Sequence, residues 1–120
     1  MKILLVDDSK AMRMIVKRTL ASAGFGSHTF AEAGNGREAL DVLHREPQDV
    51  VLCDWNMPEM SGLELLQALK AERSNVRFGF VTSEGSAAMR EQAMGAGAEF
   101  LIVKPFTAEV FKDVLASVLA

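Results

Sequence analysis

Four short apolar runs constrain this chain more than any other feature: residues 3–6 (ILLV), 50–53 (VVLC), 78–81 (FGFV) and 100–103 (FLIV). None of them alternates polar with apolar positions. A strand of this kind has both faces covered, and its length suits a strand better than a helix, so the four read as central strands of a parallel sheet. A fifth run, 28–32 (HTFAE), does alternate, as a strand with one partly wet face does, and is assigned to the sheet edge.

Helical periods fill the intervals. Met12, Ile15, Val16, Thr19, Leu20 and Ala23 follow the i, i+3, i+4, i+7 spacing of a buried stripe. Gly36, Ala39, Leu40 and Leu43 repeat it, as do Gly62, Leu65, Leu66 and Leu69, and finally Phe111, Val114, Leu115 and Val118. Ser61 with Glu64 has the spacing of a capping box, Asn35 with Glu38 is a weaker version, and Thr107 is placed to cap the last helix. Residues 86–96 have only a thin apolar stripe, so a helix there should be marginal.

Strands alternating with helices imply right-handed crossovers and a doubly wound α/β domain with helices on both faces. At 120 residues the chain is expected to be a single domain, 1–120, without an output domain, so that any output would come from binding another protein. A formal charge of −3 and the absence of a Lys/Arg run argue against nucleic acid or anionic lipid as a direct partner. The lone Cys53 rules out an internal disulfide and points to a reducing compartment. No stretch approaches the roughly 20 apolar residues of a membrane span, and two acids follow directly on the first apolar run. The expectation is a cytoplasmic monomer.

In doubly wound sheets the working site lies beyond the carboxyl ends of the strands. The first strand ends in Asp7 and Asp8, the third in Asp54, the fourth in Thr82 and Ser83, and the fifth in Lys104. Two unit charges about 4 Å apart at an effective dielectric near 20 interact by about 4 kcal/mol, so three carboxylates on one rim need cations. Lys104 offsets part of the repulsion. A hard divalent ion with oxygen ligands would offset the rest, and Mg2+ is suitable because it accepts carboxylates and keeps waters. Any one of these acids alone would be an ordinary helix-start or turn residue; the set at successive strand ends is what points to chemistry.

The stretches VDDS (6–9), CDWNMPEMSG (53–62), FVTS (80–83) and IVKPFT (102–107) resemble the response-regulator receiver domain of two-component signalling, and the likeness spans the whole chain. It is nearest to stand-alone chemotaxis members of that family. The resemblance implies a five-stranded, flavodoxin-like sheet in the order 2-1-3-4-5. It further implies that Asp54 accepts a phosphoryl group from a histidine kinase, a phosphotransfer domain or a small phosphodonor. Asp7, Asp8, Asp54 and the backbone carbonyl of Asn56 would hold Mg2+, and Thr82 and Lys104 would each engage a phosphoryl oxygen. Such a protein is a signalling switch, not an enzyme with a separate substrate, and it catalyses its own phosphorylation and dephosphorylation. Lys104-Pro105 resembles a cis peptide of the family. Asn56 and Glu84 match positions that screen the acyl phosphate from water and set its lifetime.

In the family, Thr82 would move toward the phosphoryl group and an aromatic three residues before the lysine would swing in behind it. This would change the face of helix four, strand five and helix five that meets a protein target such as a flagellar switch component. Here that position is Leu101. The neighbouring Phe100 points to the other face and does not substitute for it. Lys10, Arg13, Lys17 and Arg18 place positive charge on the exposed side of helix one, either as a solvated face or as a dock for an acidic phosphotransfer domain or phosphatase.

A flavin-phosphate binder would need hydroxyls and free amides where Asp7 and Asp8 stand. A haloacid-dehalogenase-type phosphatase would want an acid at Asn56. A phosphorelay shuttle, a phosphate sink and a constitutive adaptor stay open within the receiver family itself.

Overall fold

The computed structural model describes residues 1–118 and contains five parallel strands and five α-helices in strict alternation. The strands are β1 (Lys2–Val6), β2 (Thr29–Ala33), β3 (Val50–Cys53), β4 (Arg77–Thr82) and β5 (Phe100–Val103). The helices are α1 (Lys10–Leu20), α2 (Gly36–Arg45), α3 (Gly62–Ala71), α4 (Ala87–Gly95) and α5 (Ala108–Leu115). The sheet order is β2-β1-β3-β4-β5, as the resemblance implies. Strand order reverses at β1 and β3, which pair Ile3 with Val50 and Val6 with Cys53. Asp7 and Asp54 therefore leave the sheet side by side.

Two apolar layers sandwich the sheet. One packs Leu4, Val51, Phe78, Phe80 and Leu101 against Leu65, Leu66 and Leu69 of α3 and Ala93 of α4. The other packs Ile3, Leu52, Val81, Phe100 and Ile102 against Val16 and Leu20 of α1 and Phe111 and Leu115 of α5. Adjacent strand residues alternate between these layers, which is why the runs are apolar throughout.

Helix starts follow the sequence signals. Ser61 Oγ accepts from the Glu64 N–H at 3.2 Å while Glu64 Oε1 accepts from the Ser61 N–H at 3.0 Å, a complete capping box. Asn35 Oδ1 accepts from the Glu38 N–H, but the Glu38 carboxylate accepts from the Gly34 N–H and the Asn35 side-chain amide, not from the Asn35 N–H that a full capping box would use. Thr107 caps α5, and Ser9 and Ser86 cap α1 and α4.

Three expectations need correction. β2 begins at Thr29, one residue late, because its register opens with Lys2 against Thr29 and runs on to Ala33; His28 lies outside and accepts from the chain's amino terminus. β5 lies at the edge of the sheet and is not central; helices α4 and α5 bury its faces, so its sequence looks the same as that of an inner strand. On α1, Ile15 is 47% exposed, because the line of contact with the sheet follows Val16 and Leu20 and is narrower than the apolar stripe. Residues 86–96 do form a helix, α4, with only Ala93 fully buried.

Candidate functional site

The rim formed by the carboxyl ends of β1, β3, β4 and β5 brings Asp7, Asp8, Asp54, Thr82 and Lys104 to one end of the sheet. One carboxylate oxygen from each of Asp7, Asp8 and Asp54 lies within 4.8 Å of the others. Lys104 Nζ stands between two of these acids, 3.0 Å from Asp7 Oδ2 and 3.4 Å from Asp54 Oδ2. Its backbone N–H donates to the Thr82 carbonyl at 2.8 Å, which fixes the start of its side chain at the sheet edge. The Lys104-Pro105 bond is cis.

Each acid is held differently. Asp7 is 6% exposed, and its Oδ1 accepts from the Ser9 N–H at 2.9 Å. Asp54 Oδ1 accepts from the Trp55 N–H at 2.7 Å. Burial pushes the Asp54 carboxyl above its usual value; Lys104 and the Trp55 N–H pull it back, and Asp7 pushes it further up. Asp8 is exposed, and among the described residues its carboxylate makes no hydrogen bond or ion pair, which leaves both oxygens open to a ligand.

The loop after Asp54 can close only because of Gly62. A Cβ there would lie 2.1 Å from the Asp54 carbonyl oxygen and 2.9 Å from the Phe80 ring. The Gly62 N–H donates to the Trp55 carbonyl at 2.9 Å, so the first residue of α3 presses against the Asp54 backbone. The Trp55 ring packs on Phe80 with centroids 4.7 Å apart.

Thr82 is fully buried at the end of β4, and its Oγ1 accepts from the Glu84 N–H at 3.3 Å. The side chains of Asn56 and Glu84 are exposed and form no hydrogen bond or ion pair among the described residues. Leu101 is 5% exposed and lies in the layer with Ala93, while Phe100 lies in the opposite layer over Gly79.

Arg13 departs from the surface role read from the sequence. Its Nε is 2.9 Å from Glu32 Oε1, its Nη1 donates to the Asp7 carbonyl, and its side chain is 16% exposed. Lys17 caps the Phe30 ring at 5.6 Å, so the basic face of α1 is only partly free. The available signal was positional: Arg13 lies at the start of α1 beside the Asp7 rim, and Glu32 lies near the end of the strand that flanks it.

The donor set suits a hard cation, being all oxygen and mostly carboxylate. Asp7, Asp8 and Asp54, whose oxygens already lie within 4.8 Å of one another, would hold an ion such as Mg2+, which would neutralise negative charge at the rim. An open parallel sheet whose carboxyl rim gathers three acids, a buried threonine and a lysine defines an α/β domain equipped to handle a cation and an anion together. The chain belongs to the response regulator receiver domain family, whose model matches residues 3–116.

Among its relatives, a chemotaxis protein CheY homolog of Campylobacter jejuni is 45% identical over 122 residues, covering 99% of this chain and 92% of the relative. The chemotaxis protein CheY of Pseudomonas aeruginosa is 42% identical over 115 residues, covering 94% and 91%. The solved structure of Vibrio cholerae CheY4 superposes with a TM-score of 0.85 at 33% identity, covering 98% of this chain and 97% of that one. The chain is thus a two-component receiver of the signalling-switch class, closely similar to CheY regulators, and receivers of this kind bind Mg2+ at an acidic pocket. No helix among the described residues is long and apolar enough to cross a membrane.

Proposed function

We propose that the chain is a stand-alone response regulator in chemotaxis or motility control, switched by phosphorylation of Asp54. The observation that carries the reading is the placement of Lys104 between Asp7 and Asp54, beside Asp8, whose carboxylate has no partner among the described residues. The likeness to CheY proteins, whose length the chain nearly spans, supports the single-domain form.

Asp54 attacks the phosphorus of a kinase or phosphotransfer-domain phosphohistidine; a new P–O bond forms, the donor P–N bond breaks, and the imidazole leaves with a proton from solvent. Asp7, Asp8, Asp54 and the Asn56 carbonyl would hold Mg2+, which supplies charge neutralisation of the phosphoryl oxygens. Lys104 pairs with one of those oxygens as a point charge, and the Thr82 hydroxyl exchanges its contact with the Glu84 N–H for another. Asn56 and Glu84, exposed on either side of the rim, tune access of water to the acyl phosphate. The displaced Thr82 then alters the α4–β5–α5 face, where a protein target such as a flagellar switch component binds. Leu101 in place of an aromatic routes this change through packing under α4.

Trp55 adjoins Asp54, so its fluorescence tests the reading directly. Mg2+ should change the emission, and acetyl phosphate or beryllofluoride should change it again in the wild type and not in Asp54→Asn. A response to beryllofluoride that survives Asp54→Asn would reject Asp54 as the acceptor.

A further inference from the structure

We propose that Arg13 is a positioning residue for the cation site, an inference that rests on the receiver reading above. Of the cations on α1, it is the one turned into the rim: Lys10, Lys17 and Arg18 are exposed, while Arg13 lines the same small cavity as Asp7 and Asp54. Its guanidinium joins two acceptors on different strands, the Asp7 carbonyl after β1 and Glu32 Oε1 on β2. That carbonyl belongs to the peptide unit linking Asp7 to Asp8. Holding it orients both acids at once, and Asp8 has no other tie among the described residues. The preceding peptide is already fixed, since the Asp7 N–H donates to the Ala33 carbonyl at 3.1 Å. Arg13 completes the restraint from the other side.

A fork with several donors in one plane suits this task, and a lysine ammonium would satisfy one acceptor at the expense of the other. The role has a sign that separates it from simple electrostatics. A cation beside the site repels Mg2+, so if charge alone mattered, removing Arg13 would tighten Mg2+ binding. If Arg13 positions the acids, removing it loosens the ligand set and weakens binding, by on the order of tenfold, as loss of outer hydrogen bonds to metal ligands commonly does.

The experiment is a MgCl2 titration at constant ionic strength, read by Trp55 fluorescence, on the wild type, Arg13→Ala, Arg13→Lys and Glu32→Gln, with circular dichroism as the check on folding. The expected result is the weakest binding in Arg13→Ala, intermediate binding in Arg13→Lys despite its retained charge, and a smaller loss in Glu32→Gln. Arg13→Lys, which keeps the charge and loses the fork, decides the matter if Arg13→Ala fails to fold. Wild-type or tighter Mg2+ binding in these variants overturns the positioning role and leaves the receiver reading intact. Absence of Mg2+ binding in the wild type overturns both.

Discussion

Lys104 and Asp7 lie 97 positions apart in sequence, yet Lys104 Nζ sits 3.0 Å from Asp7 Oδ2. The lysine thus takes the place of a counter-ion for the acids it joins. It should compete with a divalent cation for them, because both neutralise the same carboxylates. Lys104→Met is expected to tighten Mg2+ binding several-fold while abolishing the fluorescence response to beryllofluoride. Weaker Mg2+ binding in that variant would show that Lys104 props the site open instead of competing for it.

Asp54 supplies a prediction about pH. Its carboxyl titrates above its usual range, mainly through burial, so ionisation costs the folded state more than the unfolded one. Between the unfolded value near 3.8 and the higher folded value, the native protein binds more protons, and stability falls as pH rises. Asp54→Asn removes this loss. Denaturant unfolding should find the variant more stable than the wild type at pH 7, with the difference shrinking as the pH falls through the raised folded value toward 3.8. A variant less stable at pH 7 would mean that the pairing with Lys104 outweighs burial.

Much of this architecture was legible in the sequence because each strand carries its own signal. The runs at 50–53 and 100–103 match β3 and β5 residue for residue, and Asp7, Asp54, Thr82 and Lys104 follow directly from where the strands end. The position of β5 in the sheet was not legible from its composition, since helices on both faces make an edge strand as apolar as an inner one. Arg13 was hidden for a related reason. Its partners are a backbone carbonyl and an acid on another strand, and no local pattern distinguishes a cation that turns inward from three that do not. Ile15 misled because the helical period reports which residues share a face and says nothing of how wide the contact is.

Gly62 links the fold to the site. A methyl group at this position cannot fit against the Asp54 carbonyl at 2.1 Å without moving either α3 or the Asp54 loop. Gly62→Ala should cost about 1–3 kcal/mol in denaturant unfolding, the range of overpacking, and weaken the Mg2+ response of Trp55 in the part that stays folded. Unchanged stability and Mg2+ binding would show that the loop accommodates the methyl freely.

Leu101 offers the clearest test of how α4 is seated. The helix buries only Ala93, and Arg90 Nη1 reaches the Leu101 carbonyl at 3.3 Å, so the Leu101 side chain supplies much of the apolar floor beneath it. Truncation to alanine removes a buried branched side chain, which costs about 2–5 kcal/mol where the surroundings do not collapse. The loss should fall unevenly, because α3 has four buried anchors of its own while α4 has one. In hydrogen exchange under native conditions, Leu101→Ala should lower the protection of residues 87–95 well before that of residues 62–71. Equal loss in both helices would instead show that α4 opens only with the whole domain. In that case a leucine at this position could not serve as a local route from Thr82 to the α4 face.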